Sequence, residues 1–373
     1  MAQDENYPDK TYIAVGMMTG TSMDGLDVAA IRTDGQDFTR LIGFTLIPYE
    51  DDFHNLLKTV LRGQDKERLE AVGVALTQMH ALALENLLLK MGLDIKEVHV
   101  IGMHGQTVLH EPDKGRTWQI GDGQMLADMT GVKVVNDFRS ADMKAGGQGA
   151  PLIPVYHRAL AKKLEKPVAF VNIGGVANLT WIDKRGNMLA CDTGPGNAML
   201  DDWMRRKTGA ARDENGETAA AGTVDKAALK KLLSHPFFSM PPPKSLDRDA
   251  FDPSVVEHLS LEDGAATLAE FTVEGIARIV ELLPEAPRKW LICGGGRHNA
   301  HIMARLSQRL GASVEAVESI GANGDTLEAE GFAYMAVRNM LGLPISFPGT
   351  TGVREEMTGG VLSLPKAAEK ATL

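Results

Sequence analysis

The chain has 373 residues, about twice the length of a typical single domain, so two compact units are expected. Hydrophobic residues make up 44% and charged residues 24%, which excludes a disordered or fibrous chain, and a formal net charge of -10 argues against broad affinity for nucleic acid or anionic membrane. The expected partner is a small molecule. Cys191 and Cys293 lie far apart, with no CxxC or Cys/His cluster, so neither a disulfide framework nor a structural metal site is expected and a reducing compartment fits. The amino terminus, MAQDENYPDKTY, is polar and acidic where a secretory signal needs a basic start and an apolar run, and no apolar stretch reaches the roughly 20 residues that cross a bilayer. These features indicate a cytoplasmic protein whose first ten or so residues form a loose extension.

In chain order, Tyr12 to Met17 reads as a strand, broken by Gly20 and the polar turn TSMDG, and Leu26 to Ile31 as its return. Leu41 to Pro48 follows a DG turn at Asp34 and Gly35, which completes an antiparallel meander. Asp65 to Met91 is helical in pattern, and Val98 to Met103 and Val132 to Asn136 are strands ending at HGQT and DFR. The second half repeats the plan about 155 residues later, with strands over 168–172, 179–183 and 188–192 separated by IGGVAN and a turn at Lys184 to Gly186. Helices are then predicted over 198–207, 224–234 and 265–283, a strand at Trp290 to Cys293, and helices over 298–310 and 325–340. Thr208 to Gly222 and the PPPK run at Pro241 to Lys244 read as exposed loops, with a polyproline ligand as the alternative for PPPK. Beyond Pro344 periodicity is weak, and the tail is expected to pack back on the first unit. Two glycine-turn meanders, each followed by alternating helices and strands, predict an α/β protein with duplicated cores.

The turns carry the chemistry. GTSMDG presents backbone N–H groups and small hydroxyls, a makeup that cradles an anion, although it also suits a plain hairpin turn in which Asp24 and Gly25 supply the dihedrals. The Walker pattern GxxxxGK[ST] is absent, which disfavours a P-loop. IGGVAN repeats the idea, so that paired hairpins in facing domains would hold the two ends of a triphosphate. CGGGRHN, from Cys293 to Asn299, sits between a buried strand and a helix start, where glycines permit a flat ring or a phosphate to approach. DTGPGN places Asp192 at a strand end before a helix start, as an N-cap or as a general base. Cys191 beside it is expected in the core.

With these residues assembled, the chain resembles the anhydro-N-acetylmuramic acid kinases, members of the superfamily of sugar kinases, heat-shock ATPases and actin. The resemblance runs from about Tyr12 to about Gly352 through GTSMDGLD, HGQTVLHEP, WQIGD, DFRSADMKAGGQGAPL, VNIGGVANLT, DTGPGN, CGGGRHN and EAEGFAYMA. Thr19 departs from the serine common in the family. The resemblance implies a two-domain actin/hexokinase-like fold with βββαβαβ cores and ATP in an interdomain cleft. We expect residues 1–140 and 346–373 to form domain I and 141–345 domain II.

It further implies that ATP and water convert 1,6-anhydro-N-acetylmuramic acid, a peptidoglycan turnover product, to N-acetylmuramic acid 6-phosphate, with Asp192 as the base that deprotonates the water. Gly20, Thr21, Ser22, Met23, Asp24, Gly25, Leu26 and Asp27 match the ATP-binding stretch, with Mg²⁺ bridging phosphates, Asp24 reaching it through water, and no direct metal ligand identified. Gly174 and Gly175 would form the facing phosphate hairpin, and Gly294, Gly295, Gly296 and Asn299 the adenosine pocket. His104, Gly105, Gln106, Thr107, Arg139 and Glu328 would bind the sugar. A guanidinium pairs bidentately with a carboxylate, so Arg139 suits the lactyl group, the alternative being an ion pair with Asp137 or Asp142. His104 has the alternative of satisfying backbone groups, while His99, His110 and His157 read as structural or surface residues. Glu328 and Glu330 lie roughly 200° apart around a helix, so only one faces a ligand, and the spacing to Phe332 favours Glu328. The family also implies a homodimer. Two rivals are a kinase for a different amino sugar on the same fold and a nucleotide-driven switch with a protein partner, the latter weakened by the lack of a long apolar peptide-binding appendage.

Overall fold

The computed structural model describes Pro8, residues 10–20, Met23, and residues 25–63 and 65–366. The chain opens with β1 (Tyr12–Thr19), β2 (Gly25–Thr33) and β3 (Thr39–Pro48), an antiparallel meander in the register Thr19 to Leu26 and Gly25 to Pro48. Helices α1 (Asp51–Gly63) and α2 (Lys66–Met91) lead to β4 (Val100–Met103), parallel to β1. A hairpin of β5 (Gln106–Glu111) and β6 (Arg116–Ile120) follows, then α3 (Gly123–Thr130), β7 (Val134–Asn136) parallel to β4, α4 (Ser140–Lys144) and α5 (Pro154–Leu160).

The plan then recurs. Strands β8 (Val168–Ile173), β9 (Val176–Ile182) and β10 (Met188–Pro195) form a second antiparallel meander. Helices α6 (Ala198–Thr208), α7 (Glu217–Ala221), α8 (Lys226–Leu233) and α9 (Leu261–Arg278) precede β11 (Lys289–Cys293), α10 (Ala300–Leu310) and β12 (Ser313–Ala316), with β11 parallel to β8 and β12 to β11. Last come α11 (Leu327–Met340) and β13 (Val361–Ser363). The sheet orders are β13-β7-β4-β1-β2-β3 and β10-β9-β8-β11-β12, so each contains the same run of three antiparallel strands followed by two parallel ones. This is the duplicated core of the actin/hexokinase-like fold.

Two compact units result: Met1–Lys162 with Thr326–Leu373, and Lys163–Asp325. These bounds differ from the expected division at 140 and 346, because α11 belongs to the first unit. A Cβ on Gly16 of β1 would stand 1.8 Å from the Ala329 carbonyl oxygen, and one on Gly102 of β4 2.1 Å from that of Phe332, so the α11 backbone lies directly on these strands. Helix α5 packs on α11 and stays with it, Tyr156 and Tyr334 having ring centroids 5.5 Å apart. The tail returns to the same unit through β13, which pairs with β7.

Helix α2 starts at Asp65, whose side chain accepts from the Glu67 and Arg68 N–H groups, and ends at Gly92 in the left-handed region. It is long and apolar enough to cross a membrane by length and composition, contrary to the sequence expectation, but 56% of that stretch is buried inside the protein. Leu69, Val72, Leu76, Leu84, Leu87 and Leu88 join the core around β1 and β2, which identifies α2 as a core helix. In the second unit Trp203, Trp290, Phe271 and Ile292 fill the space between the sheet and α6 and α9. The Thr208 to Gly222 span is more ordered than expected, since α7 lies within it and Ala219 is fully buried.

Candidate active site

In the first unit the end of β1 and Gly20 are seated on the segment after β4. Thr19 Oγ1 donates to the Gly105 carbonyl at 2.7 Å, Gln106 Nε2 to the Gly20 carbonyl at 3.4 Å, and the His104 N–H to the Met17 carbonyl at 3.0 Å. The candidate phosphate turn and the candidate sugar segment HGQT are therefore neighbours. The Met23 N–H donates to the Gly20 carbonyl at 3.1 Å with Met23 at a φ of 57°, while Thr21, Ser22 and Asp24 lie outside the described residues. Leu26 is wholly in the core and Asp27 is half-buried on β2 opposite Met18, so of these two candidates Asp27 presents the accessible polar side chain. Gly105 has a φ of 75°, and a Cβ there would stand 2.5 Å from the Ile120 carbonyl oxygen, so the turn into β5 requires glycine. Gln106 is buried and braces Gly20, a supporting position, and Thr107 is half-buried on β5.

His104 and Arg139 meet. Arg139 Nη2 lies 2.9 Å and Nε 3.3 Å from His104 Nε2, and Arg139 Nη1 donates to the Gly149 carbonyl at 2.8 Å. A guanidinium only donates, so Nε2 is the acceptor and the imidazole proton sits on Nδ1. Burial, and after it the charge of Arg139, holds His104 well below the usual histidine pKa, so the ring is neutral. Burial also opposes the charge on Arg139, while Glu328 and Asp142 favour it. Among the described residues neither Asp137 nor Asp142 pairs with Arg139. Asp142 accepts from the Gly149 N–H at 2.6 Å and the Thr351 hydroxyl at 2.5 Å, and Asp137, at a φ of 50°, accepts from the Ser140 N–H at 3.3 Å.

The two helix carboxylates separate as their spacing demands. Glu330 is 1% exposed and accepts from the Tyr156 hydroxyl at 2.5 Å and the Thr326 hydroxyl at 2.6 Å. Glu328 reaches solvent, yet enough protein surrounds it that desolvation raises its pKa, opposed by Arg139. Beside His104 is a recess of about 190 Å³ lined by Trp118, Gln119, Asn136, Asp137 and Ser140.

In the second unit Asp192 stands half-buried on β10, just before a bulge at Gly194. Its carboxylate accepts from the Leu246 N–H at 2.7 Å, and its own N–H donates to the Lys244 carbonyl at 3.0 Å. Desolvation pushes its pKa up to about 6, against the opposing effects of the Leu246 N–H and the charge of Lys244. The PPPK run is thus no free surface excursion. Lys244 is 6% exposed, donates to the Phe237 carbonyl at 3.0 Å and lies 4.3 Å over the Phe237 ring. Cys191 is in the core as expected, its thiol pushed up to about 12 by burial.

The other candidates of this unit gather at one end of its sheet. The Gly174 carbonyl accepts from the Asn197 N–H at 2.7 Å, and the Gly175 carbonyl from the Gly196 and Ala198 N–H groups at 3.0 and 3.2 Å. A Cβ on Gly296 would stand 2.3 Å from Ile173 Cγ2, and one on Gly294, at a φ of 71°, 2.1 Å from Asn172 Oδ1, so the turn after β11 is packed against the β8–β9 hairpin. Asn299 Oδ1 is the N-cap of α10 and accepts from the Ile302 N–H at 3.0 Å, which commits that oxygen to the fold.

The family model for anhydro-N-acetylmuramic acid kinase matches residues 11–365. The chain belongs to the anhydro-N-acetylmuramic acid kinase family. It is 49% identical over 356 residues to the anhydro-N-acetylmuramic acid kinase of Paramagnetospirillum magneticum, covering 95% of this chain and 100% of that one. It is 48% identical over 361 residues to the enzyme of the same name from Rhizorhabdus wittichii, covering 95% and 99%. Among solved structures, component A of the (R)-2-hydroxyglutaryl-CoA dehydratase of Acidaminococcus fermentans is similar in fold, with a TM-score of 0.50 and 11% identity over 88% of this chain and 99% of that one.

For a member of this kinase family, the recess beside His104 adds Trp118, Gln119, Asn136 and Ser140 to the candidates. Trp118 and Gln119 lie in WQIGD and Ser140 in DFRSADMKAGGQGAPL, while Asn136 ends the strand before that motif, but without the β5–β6 hairpin nothing assigned them a position. No group of three or more His, Cys, Asp or Glu suited to a metal ion occurs among the described residues, so this donor set gives no protein cage for Mg²⁺.

Proposed function

We propose that this chain takes 1,6-anhydro-N-acetylmuramic acid, water and ATP to N-acetylmuramic acid 6-phosphate and ADP, with Asp192 as the sole general base. The activity follows from membership of the family, and the observation that carries the role of Asp192 is its environment: a half-buried carboxylate with one N–H donor and a pKa pushed up to about 6. Such a group is largely ionised at neutral pH and more basic than an ordinary aspartate, which suits proton abstraction from water.

The bonds balance without a second acid. Water oxygen bonds to the anomeric carbon as the bond from that carbon to O6 breaks, and O6 bonds to the γ-phosphorus as the bond to the ADP oxygen breaks. Asp192 takes the water proton and releases it to solvent. In ordinary inverting glycoside hydrolysis a carboxylic acid protonates the leaving oxygen, and here the phosphoryl group takes that place.

Arg139, held by His104 and the Gly149 carbonyl, receives the lactyl carboxylate, with Glu328 and the side chains around the recess orienting the sugar. Gly20 to Gly25 and the Gly174–Gly175 hairpin hold phosphates through backbone N–H groups, and the turn after β11 receives adenosine. Mg²⁺ bound with the nucleotide would supply charge neutralisation at the phosphates, with Asp24 as the residue that would reach it through water. The working form is a homodimer. Incubation of the purified chain with the anhydro sugar and ATP tests the reading: equal amounts of ADP and a 6-phosphorylated reducing sugar are expected. Turnover of another amino sugar without turnover of this one would overturn the substrate assignment, and ATPase stimulation by peptide alone would favour the switch reading.

A further inference from the structure

The loop between α8 and α9 does more than accompany Asp192. Over Lys244 to Leu246 its backbone runs beside β10, exchanging the two bonds with Asp192 described above. Lys244 fixes the loop inward on Phe237. Two residues beyond Leu246, the same loop delivers Arg248 to the β8–β9 hairpin, where a Cβ built on Gly175 would stand 4.0 Å from Arg248 Nε.

Arg248 is poised there without being used up. Its Nη2 donates to both oxygens of Asp202 at 3.2 and 3.0 Å, and Asp202 also accepts from Arg205 at 2.8 Å. The side chain remains 53% exposed, and its Nε and Nη1, on different edges of the guanidinium, each retain a donor for an incoming anion. A carboxylate at Nη2 orients the guanidinium and leaves single N–H donors, each able to meet one phosphate oxygen. The adjacent hairpin also keeps backbone donors of its own. The Gly174 and Gly175 carbonyls are bonded to the start of α6, and in a trans peptide the N–H opposes the carbonyl, so the Gly175 and Val176 N–H groups point away from that helix.

We propose that Arg248 is a phosphate-binding residue of the nucleotide site, carried on the same strap that orients the base. The proposal rests on the kinase reading above and adds to it a guanidinium that no glycine motif contains. It gives the strap a coupling role, since phosphate bound at Arg248 and proton abstraction at Asp192 then depend on one five-residue segment.

The test is calorimetric binding of a non-hydrolysable ATP analogue with Mg²⁺, and of AMP, to the parent chain, Arg248→Ala and Arg248→Lys, with KM and kcat measured alongside. Arg248→Ala is expected to weaken the triphosphate analogue about tenfold or more and Arg248→Lys to recover part of the loss, with AMP affinity and the sugar KM within about twofold of the parent. Equal triphosphate affinity in parent and Arg248→Ala would overturn the proposal, as would an equal loss for AMP. Parent protein that binds the analogue through Arg248 but makes no sugar phosphate would instead sink the substrate assignment and leave this residue in place.

Discussion

Arg139 in the first unit and Asp192 in the second are both charged groups that burial pushes toward their neutral forms, yet they differ in how many partners answer it. Arg139 is compensated on several sides, by a neutral imidazole, a backbone carbonyl and the charges of Glu328 and Asp142. Asp192 receives one N–H bond, with Lys244 turned to the Phe237 carbonyl, and its pKa climbs. A charge that must hold a substrate gains from being boxed in, because its geometry is then fixed. One that must take a proton gains from being under-compensated, because each added partner would lower its basicity.

The largest effect separates these two kinds of charge. Asp192→Asn keeps an acceptor for the Leu246 N–H but has no base, so product formation should fall by about 10²–10⁴-fold while ATP affinity stays within about twofold. Heat stability supplies the control. A carboxyl whose pKa is raised by folding weakens the fold as pH rises from the ordinary aspartate range through about 6, so the Asn variant should be at least as heat-stable as the parent at pH 7. Turnover near the parent rate would remove Asp192 from its role.

A smaller change should follow Arg139→Lys, because an ammonium cannot reproduce a bidentate fork. We expect the sugar KM to rise about 10- to 100-fold with a lesser change in kcat. Parent and variant should become alike on an anhydro sugar lacking the lactyl carboxylate, and persistence of the difference would show that Arg139 meets another part of the substrate.

The smallest expected effect is a shift in pH dependence. Activity should fall as pH drops through about 6, when Asp192 takes up a proton, and His104 cannot set this limb because its pKa is well below the histidine range. The groups facing the carboxylate are the Leu246 N–H and Lys244, and the Cys191 thiol next to it stays protonated throughout the range. Lys244→Met retains the stem against Phe237 but loses the cation that helps ionise Asp192, so the limb should move to higher pH. An unmoved or lowered limb would mean that Lys244 acts only as an anchor.

Much of this was legible because glycine turns and strand periodicity are local signals. The two meanders, Asp192 on its strand and the outward position of Glu328 relative to Glu330 all follow from spacing along the chain. What escaped depended on packing between distant segments. The β5–β6 hairpin carries a bulge between Thr107 and Leu109 that breaks the alternation expected of a strand, and α11 has a clear helical pattern that does not say which sheet it covers. The PPPK run indicates a loop by composition, but composition cannot show that the Leu246 N–H meets a carboxylate 54 positions earlier. Nor can it show that Arg248 stands beside Gly175.

The chemistry assigned to Asp192 is tested most directly by running the reaction in ¹⁸O-labelled water and locating the label in the product. One labelled oxygen is expected on the anomeric hydroxyl and none in the phosphate. Label in the phosphate would mean that water attacks phosphorus instead of the anomeric carbon, which would contradict the role given to Asp192.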